Sequence, residues 1–247
     1  MKNKHNVSRK KRLHFRQSMH LKHSAFEKQF TKQELNIFRK YKTPAEIQDY
    51  LNTIPINYEL DGETCLSPRI VLKQNRAHCL EGALLAAAML RFHNHKPLVM
   101  MLETVPQDEC HVVALFKQNE CWGAISKTNH AVLRYRDPIF KSVRELAFSY
   151  FNEYFLSKNG KKTLRYYTVP MNLSKFDKKG WMTSEKDVWF IDHYLDTVKN
   201  FPFASRSQIK NFRKADPIEI KASDIVEWKK PKGAGKKKSK LHRHHDM

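Results

Sequence analysis

The chain has 247 residues, 40% of them hydrophobic and 11% aromatic, with a formal net charge of +21. That length and apolar content suit one large domain or two small ones with a sizeable core and exclude a largely disordered chain. The charge sits at the ends: residues 1–26 hold eight Lys or Arg and no acid, and residues 229–247 hold eight against Asp246, leaving +6 of the +21 between them.

The basic arm at 1–25 and the basic tail at 229–247 are therefore expected to be solvated and disordered. Their sharper role would be sequence-nonspecific, salt-sensitive contact with nucleic acid. They lack the aromatic interleaving that base stacking needs. His242, His244 and His245 make too short a tract for a metal site. The basic start is followed by no apolar signal region. The longest apolar run, Ala83 to Leu90, is eight residues, against the ~20 that span a bilayer. No membrane partner is expected. Four cysteines do not make a disulfide framework, so the expectation is a cytoplasmic protein with reduced thiols.

Residues 26–228 read as the folded domain. Thr31 with Glu34 makes a capping box ahead of Leu35 and Phe38. Thr43, Pro44 and Glu46 give a second helix start, followed by Ile47, Tyr50, Leu51 and Ile54 at helical spacing up to Pro55. Both helices read as packing elements. Asp61-Gly62 marks a turn, and Ser67-Pro68 starts a helix carrying Ile70, Val71 and Leu72.

A polar loop, Gln74 to His78, then delivers Cys79 to a helix of small apolar residues that runs to about His93. Such a helix is too apolar for a surface and is expected to be central. Strands follow at Leu98–Leu102, Cys110–Phe116 and Cys121–Ser126, the last two joined by a hairpin at Lys117–Glu120. Val143, Leu146, Ala147, Tyr150, Phe151, Tyr154 and Phe155 form one amphipathic helical stripe, read as core. A strand is expected at Leu164–Val169, a helix at Ser184–Val198, and a short strand at Ile218–Ile220. A central helix followed by an antiparallel meander makes the fold class α+β.

The chemistry centres on Cys79. A thiol at a helix N-terminus feels the positive end of the macrodipole, which favours thiolate. A cysteine nucleophile also needs a base within reach and a third group to orient that base. His111, at the start of the second strand, is the candidate base.

The motifs Arg76-Ala77-His78-Cys79-Leu80-Glu81-Gly82-Ala83 and Trp122-Gly123-Ala124-Ile125-Ser126-Lys127 resemble a bacterial branch of the transglutaminase-like superfamily, over roughly residues 45–155. The resemblance implies a papain-like α+β core, with the Cys-bearing helix and N-terminal helices packed on an antiparallel sheet. It implies Cys79 as nucleophile and His111 as general base. The family's Asp falls four residues after the strand's Trp, and here that position is Ser126. Serine can accept from an imidazole N–H but brings no charge. Asn129 is the alternative third member, as Asn serves papain-like sites. Asp137 lies beyond the strand in a Pro-bounded loop. Gln74, upstream of the cysteine, is the candidate side-chain oxyanion donor.

Two functions follow. One is a cysteine hydrolase or acyltransferase acting on a protein, peptide or other amide substrate through a thioester. The other is a catalytically degenerate binding module that contacts nucleic acid through its tails. Cys110, His111, Cys121 and His130 are a competing metal set, but they lack the paired ligand spacing of structural zinc, and adjacent strand residues face opposite ways. Neither a GxGxxG nor a P-loop is present, and no cofactor is expected.

Overall fold

A computed structural model describes residues 26–231. The arm at 1–25 and the tail from residue 232 lie outside the described residues, and so do the expectations placed on them. The chain divides into two compact units, one ending at Tyr41 and the other starting at Lys42.

In the first unit, Thr31 caps helix α1 (Lys32–Lys40) through the expected box with Glu34. The Phe30 ring lies 5.2 Å from Phe26 and 5.1 Å from Phe38.

The second unit holds the candidate site. Helix α2 (Pro44–Thr53) starts as its signals predict: Glu46 N–H donates to Thr43 Oγ1 and Thr43 N–H to Glu46 Oε2, with Pro44 in the first turn. Helix α3 (Pro68–Gln74) is capped by Ser67. Helix α4 (Cys79–Phe92) is buried along nearly its whole length, Leu80 to Leu90 without interruption, as an all-round apolar helix must be. Gly82 is required by a close approach: a Cβ there would stand 2.3 Å from Lys127 Cβ.

The sheet has seven strands: β1 (Leu98–Thr104), β2 (His111–Gln118), β3 (Cys121–Ser126), β4 (Arg136–Phe140), β5 (Leu164–Thr168), β6 (Met171–Asn172) and β7 (Asn200–Pro202). They run in the order β4-β3-β2-β1-β5-β7, with β6 also on β1, and every pairing is antiparallel. The β2–β3 hairpin closes through Asn119 and Glu120, both at positive φ, the conformation a tight two-residue hairpin turn demands. Pro138 lies in β4, an edge strand, where its missing N–H costs no ladder bond. One sheet face carries Met100, Leu102, Val113, Leu115 and Ala124, packed with Leu146, Ala147, Tyr150 and Tyr154. The alternate residues Val112 and Ala114 are also buried, on the face that alternation leaves for α4. The fold is α+β, a mainly antiparallel meander between helical layers.

Three local expectations change. The aromatic stripe is not one helix: α5 (Val143–Phe148) ends where Ser149 turns its hydroxyl back onto Leu146 O, and a 3-10 turn, Phe151–Glu153, follows. The helix expected at 184–198 is only α6 (Trp189–Leu195). After α7 (Arg206–Lys210), the strand expected at Ile218–Ile220 is instead helix α8 (Pro217–Ser223), started by an Asp216–Glu219 capping box with Pro217 in its first turn. Among the described residues no helix is long and apolar enough to cross a membrane.

Candidate active site

Cys79 is the first residue of α4, and the loop before it is fixed by the buried carboxylate of Glu81. Glu81 accepts from His78 N–H (2.9 Å), Leu66 N–H (3.0 Å), Thr64 Oγ1 (2.7 Å) and Asn57 Nδ2 (3.0 Å). Four neutral donors satisfy a carboxylate that is fully buried, as such a group requires.

The thiol faces two imidazoles. Its sulfur lies 3.9 Å from the Cys110 carbonyl oxygen, next to His111. Burial works against the thiolate, but hydrogen bonds and positive charge from His111 and His78 outweigh it and hold Cys79 well below the usual thiol range. Burial also opposes charge on His78, and here the Glu81 carboxylate, 3.3 Å from Nε2, outweighs it and pushes the ring up to about 10. Nε2–H donates to Thr64 O at 3.0 Å, and Nδ1 of the neutral ring accepts from Leu80 N–H at a long 3.3 Å. The Cys79 sulfur beside the ring also favours its protonated form. Glu109, in the loop before β2, is raised by burial and then by the nearby thiolate.

His111 opens β2, and Ser126 closes the neighbouring β3. His111 Nε2 lies 2.7 Å from Ser126 Oγ. The serine hydroxyl has one proton, and it donates that proton to the Leu133 carbonyl, which can only accept. Ser126 therefore accepts from His111 Nε2–H. That leaves Nδ1 as the basic nitrogen available to Cys79.

Ser126 is itself held by α2. Its N–H donates to Gln48 Oε1 and its carbonyl accepts from Gln48 Nε2, both at 2.8 Å. The helix expected only to pack thus carries a positioning side chain. A polar residue three before the buried Leu51, on the flank of the apolar stripe, was the available signal.

The other candidates stand elsewhere. Asn129 pairs with the chain's C-terminal segment, accepting from Trp228 N–H (2.8 Å) and donating to Trp228 O and Tyr58 Oη (both 3.0 Å). Gln74 is exposed at the end of α3, where its Oε1 accepts from Arg76 Nε. The competing metal set makes separate contacts. Cys110 sulfur meets Thr104, Cys121 sulfur lies 3.3 Å from Lys141 Nζ, and His130 Nδ1 bonds the Ser223 carbonyl. Among the described residues no three His, Cys, Asp or Glu converge to hold a metal ion. Cys65 is fully buried, and burial raises its thiol far above the usual range, so it is inert.

Leu133 has φ +61°. A left-handed conformation in a branched aliphatic residue costs roughly 1–3 kcal/mol and persists only where the surroundings enforce it. No family model matches the chain, and no curated protein matches it.

Proposed function

We propose that the chain is a transglutaminase-like cysteine enzyme on a papain-like core, acting on an amide of a protein or peptide. The observation that carries the reading is the pairing of a depressed Cys79 thiol with His111, whose ring is fixed from behind by Ser126. The thiolate attacks the acyl carbon, forming a C–S bond while the carbonyl pair moves onto oxygen. The positive end of α4 favours that oxyanion. Collapse breaks the C–N bond, and His111 passes its proton to the leaving amine. Water or a second amine then resolves the thioester. Ser126 supplies orientation without charge.

Iodoacetamide labelling tests the reading. Cys79 is expected to react at pH 6 well above the rate of a free thiol, with the excess lost in Cys79→Ala and reduced in His111→Ala. A rate at pH 6 no greater than that of a free thiol would reject the activated pair and favour a catalytically degenerate binding module.

A further inference from the structure

The serine that stands behind His111 acts as an orienting group only if its proton points away from the imidazole. A hydroxyl is symmetric in this respect: turned round, Ser126 would donate to Nε2 and select the opposite tautomer, with Nδ1 protonated and no longer a base toward Cys79. The Leu133 carbonyl decides the direction by taking the serine proton. Leu133 itself stands at φ +61°. Leu133 N–H donates to Glu153 Oε2 at 2.6 Å. The second oxygen, Glu153 Oε1, accepts from Arg136 Nη2, also at 2.6 Å. Arg136 is fixed in turn by Ser149 Oγ, 3.0 Å from its Nε, and by the Tyr150 ring, 4.0 Å from its guanidinium carbon.

We infer that Glu153 is a positioning residue of the Cys79 site, holding Leu133 so that its carbonyl orients Ser126 and thereby keeps His111 in the tautomer that serves Cys79. The carboxylate absent from the place beside the imidazole is found two hydrogen-bonded groups further out. It acts there through backbone geometry. The inference rests on the cysteine–histidine reading above.

Two measurements test it. The first is the pH profile of Cys79 alkylation by iodoacetamide. Glu153→Ala is expected to lower the rate at pH 6 by about tenfold or more, a part of the ~10²–10⁴-fold that a positioned base contributes. Glu153→Gln, which can still accept from Leu133 N–H, is expected to retain most of it. In a Ser126→Ala background Glu153→Ala should add nothing, because the inferred effect passes from Leu133 to His111 through the serine. A wild-type rate in Glu153→Ala, or an equal loss with and without Ser126, overturns the inference. The second measurement needs no change at Glu153: ¹⁵N-histidine spectra of Cys79→Ser at a pH where the imidazole is neutral. His111 should carry its proton on Nε2, and a proton on Nδ1 overturns the inference. If wild-type Cys79 shows no excess rate at pH 6, the activated pair fails, while the tautomer measurement still judges the positioning of His111.

Discussion

Gln48 exchanges two 2.8 Å hydrogen bonds with the backbone of Ser126, pinning the end of β3 to helix α2 from 78 residues away in sequence. Both partners are buried, so each bond replaces water that cannot reach the site. Gln48→Ala strands an N–H and a carbonyl at the residue that orients His111. The expected loss is about 2–4 kcal/mol of stability, from two unsatisfied buried groups. Alkylation of Cys79 at pH 6 should slow as well. Gln48→Glu should recover little, because a carboxylate cannot donate to the Ser126 carbonyl. Thermal melts and labelling rates on the same samples check both effects.

The Cys79–His78 pair predicts a specific dependence of stability on pH. Cys79 is lowered from 9.0, so its contribution is present above pH 9.0 and lost as pH falls through its folded value. His78 is raised from 6.5 to about 10, so its contribution is present below pH 6.5 and lost as pH rises through about 10. Between pH 6.5 and 9.0 the unfolded chain keeps one proton on the thiol, and the folded chain keeps one on the imidazole. The proton counts match, and the slope is zero. Below 6.5 the unfolded chain binds one proton more, so stability falls with falling pH. Above 9.0 the folded chain binds one more, so stability falls with rising pH. The stability of wild type minus Cys79→Ala/His78→Asn should be flat from pH 6.5 to 9.0 and decline on both sides. A steady slope across that window would contradict the pairing.

The parts of this site legible in the sequence are those that obey local rules. Thr43, Pro44 and Glu46 announce α2, and the small residues after Cys79 announce a central helix. The apolar stretch after the Lys117–Glu120 hairpin ends the third strand at the serine observed beside His111. Leu133 and Glu153 were illegible because their roles come from register and from one left-handed residue in a loop, and Gln48 showed only as a polar residue on the flank of an apolar stripe. No pattern of hydrophobicity announces Leu at φ +61°. Residues 217–223 show the opposite case. Ile218 and Ile220 alternate like a strand, yet the Asp216–Glu219 box and Pro217 in the first turn make the stretch helical. There the capping signal outweighs a two-residue alternation on a surface with little to bury.

Gly82→Ala is expected to destabilise the domain although alanine is the better helix former. The new Cβ would stand 2.3 Å from Lys127 Cβ and 2.8 Å from Lys127 Cγ. Lys127 is buried and cannot swing aside, because its Nζ donates to Leu51 O and Ile54 O at the end of α2. The propensity gain of about 1 kcal/mol is set against an overpacking cost of about 1–3 kcal/mol. Helix α4 must shift to relieve it, and Cys79 moves with that helix. Lys127→Ala does not remove the clash, since the nearest atom is its Cβ. A lower melting temperature in Gly82→Ala, undiminished in the Lys127→Ala background, is the expected result.

Tyr154→Phe is expected to run the other way. Among the described residues the Tyr154 hydroxyl is buried without a hydrogen-bond partner, and burial, followed by the charge of the Cys79 thiolate, holds it well above its usual range. The ring packs in the core beneath the sheet with Tyr150 and Leu164. Phenylalanine keeps that packing and removes an unsatisfied polar atom, whose burial costs about 1–3 kcal/mol. The melting temperature should therefore rise or hold, with Cys79 alkylation unchanged. A fall in melting temperature would mean that the hydroxyl has a partner in the folded protein. A fall in the alkylation rate alone would mean that it reaches the thiolate.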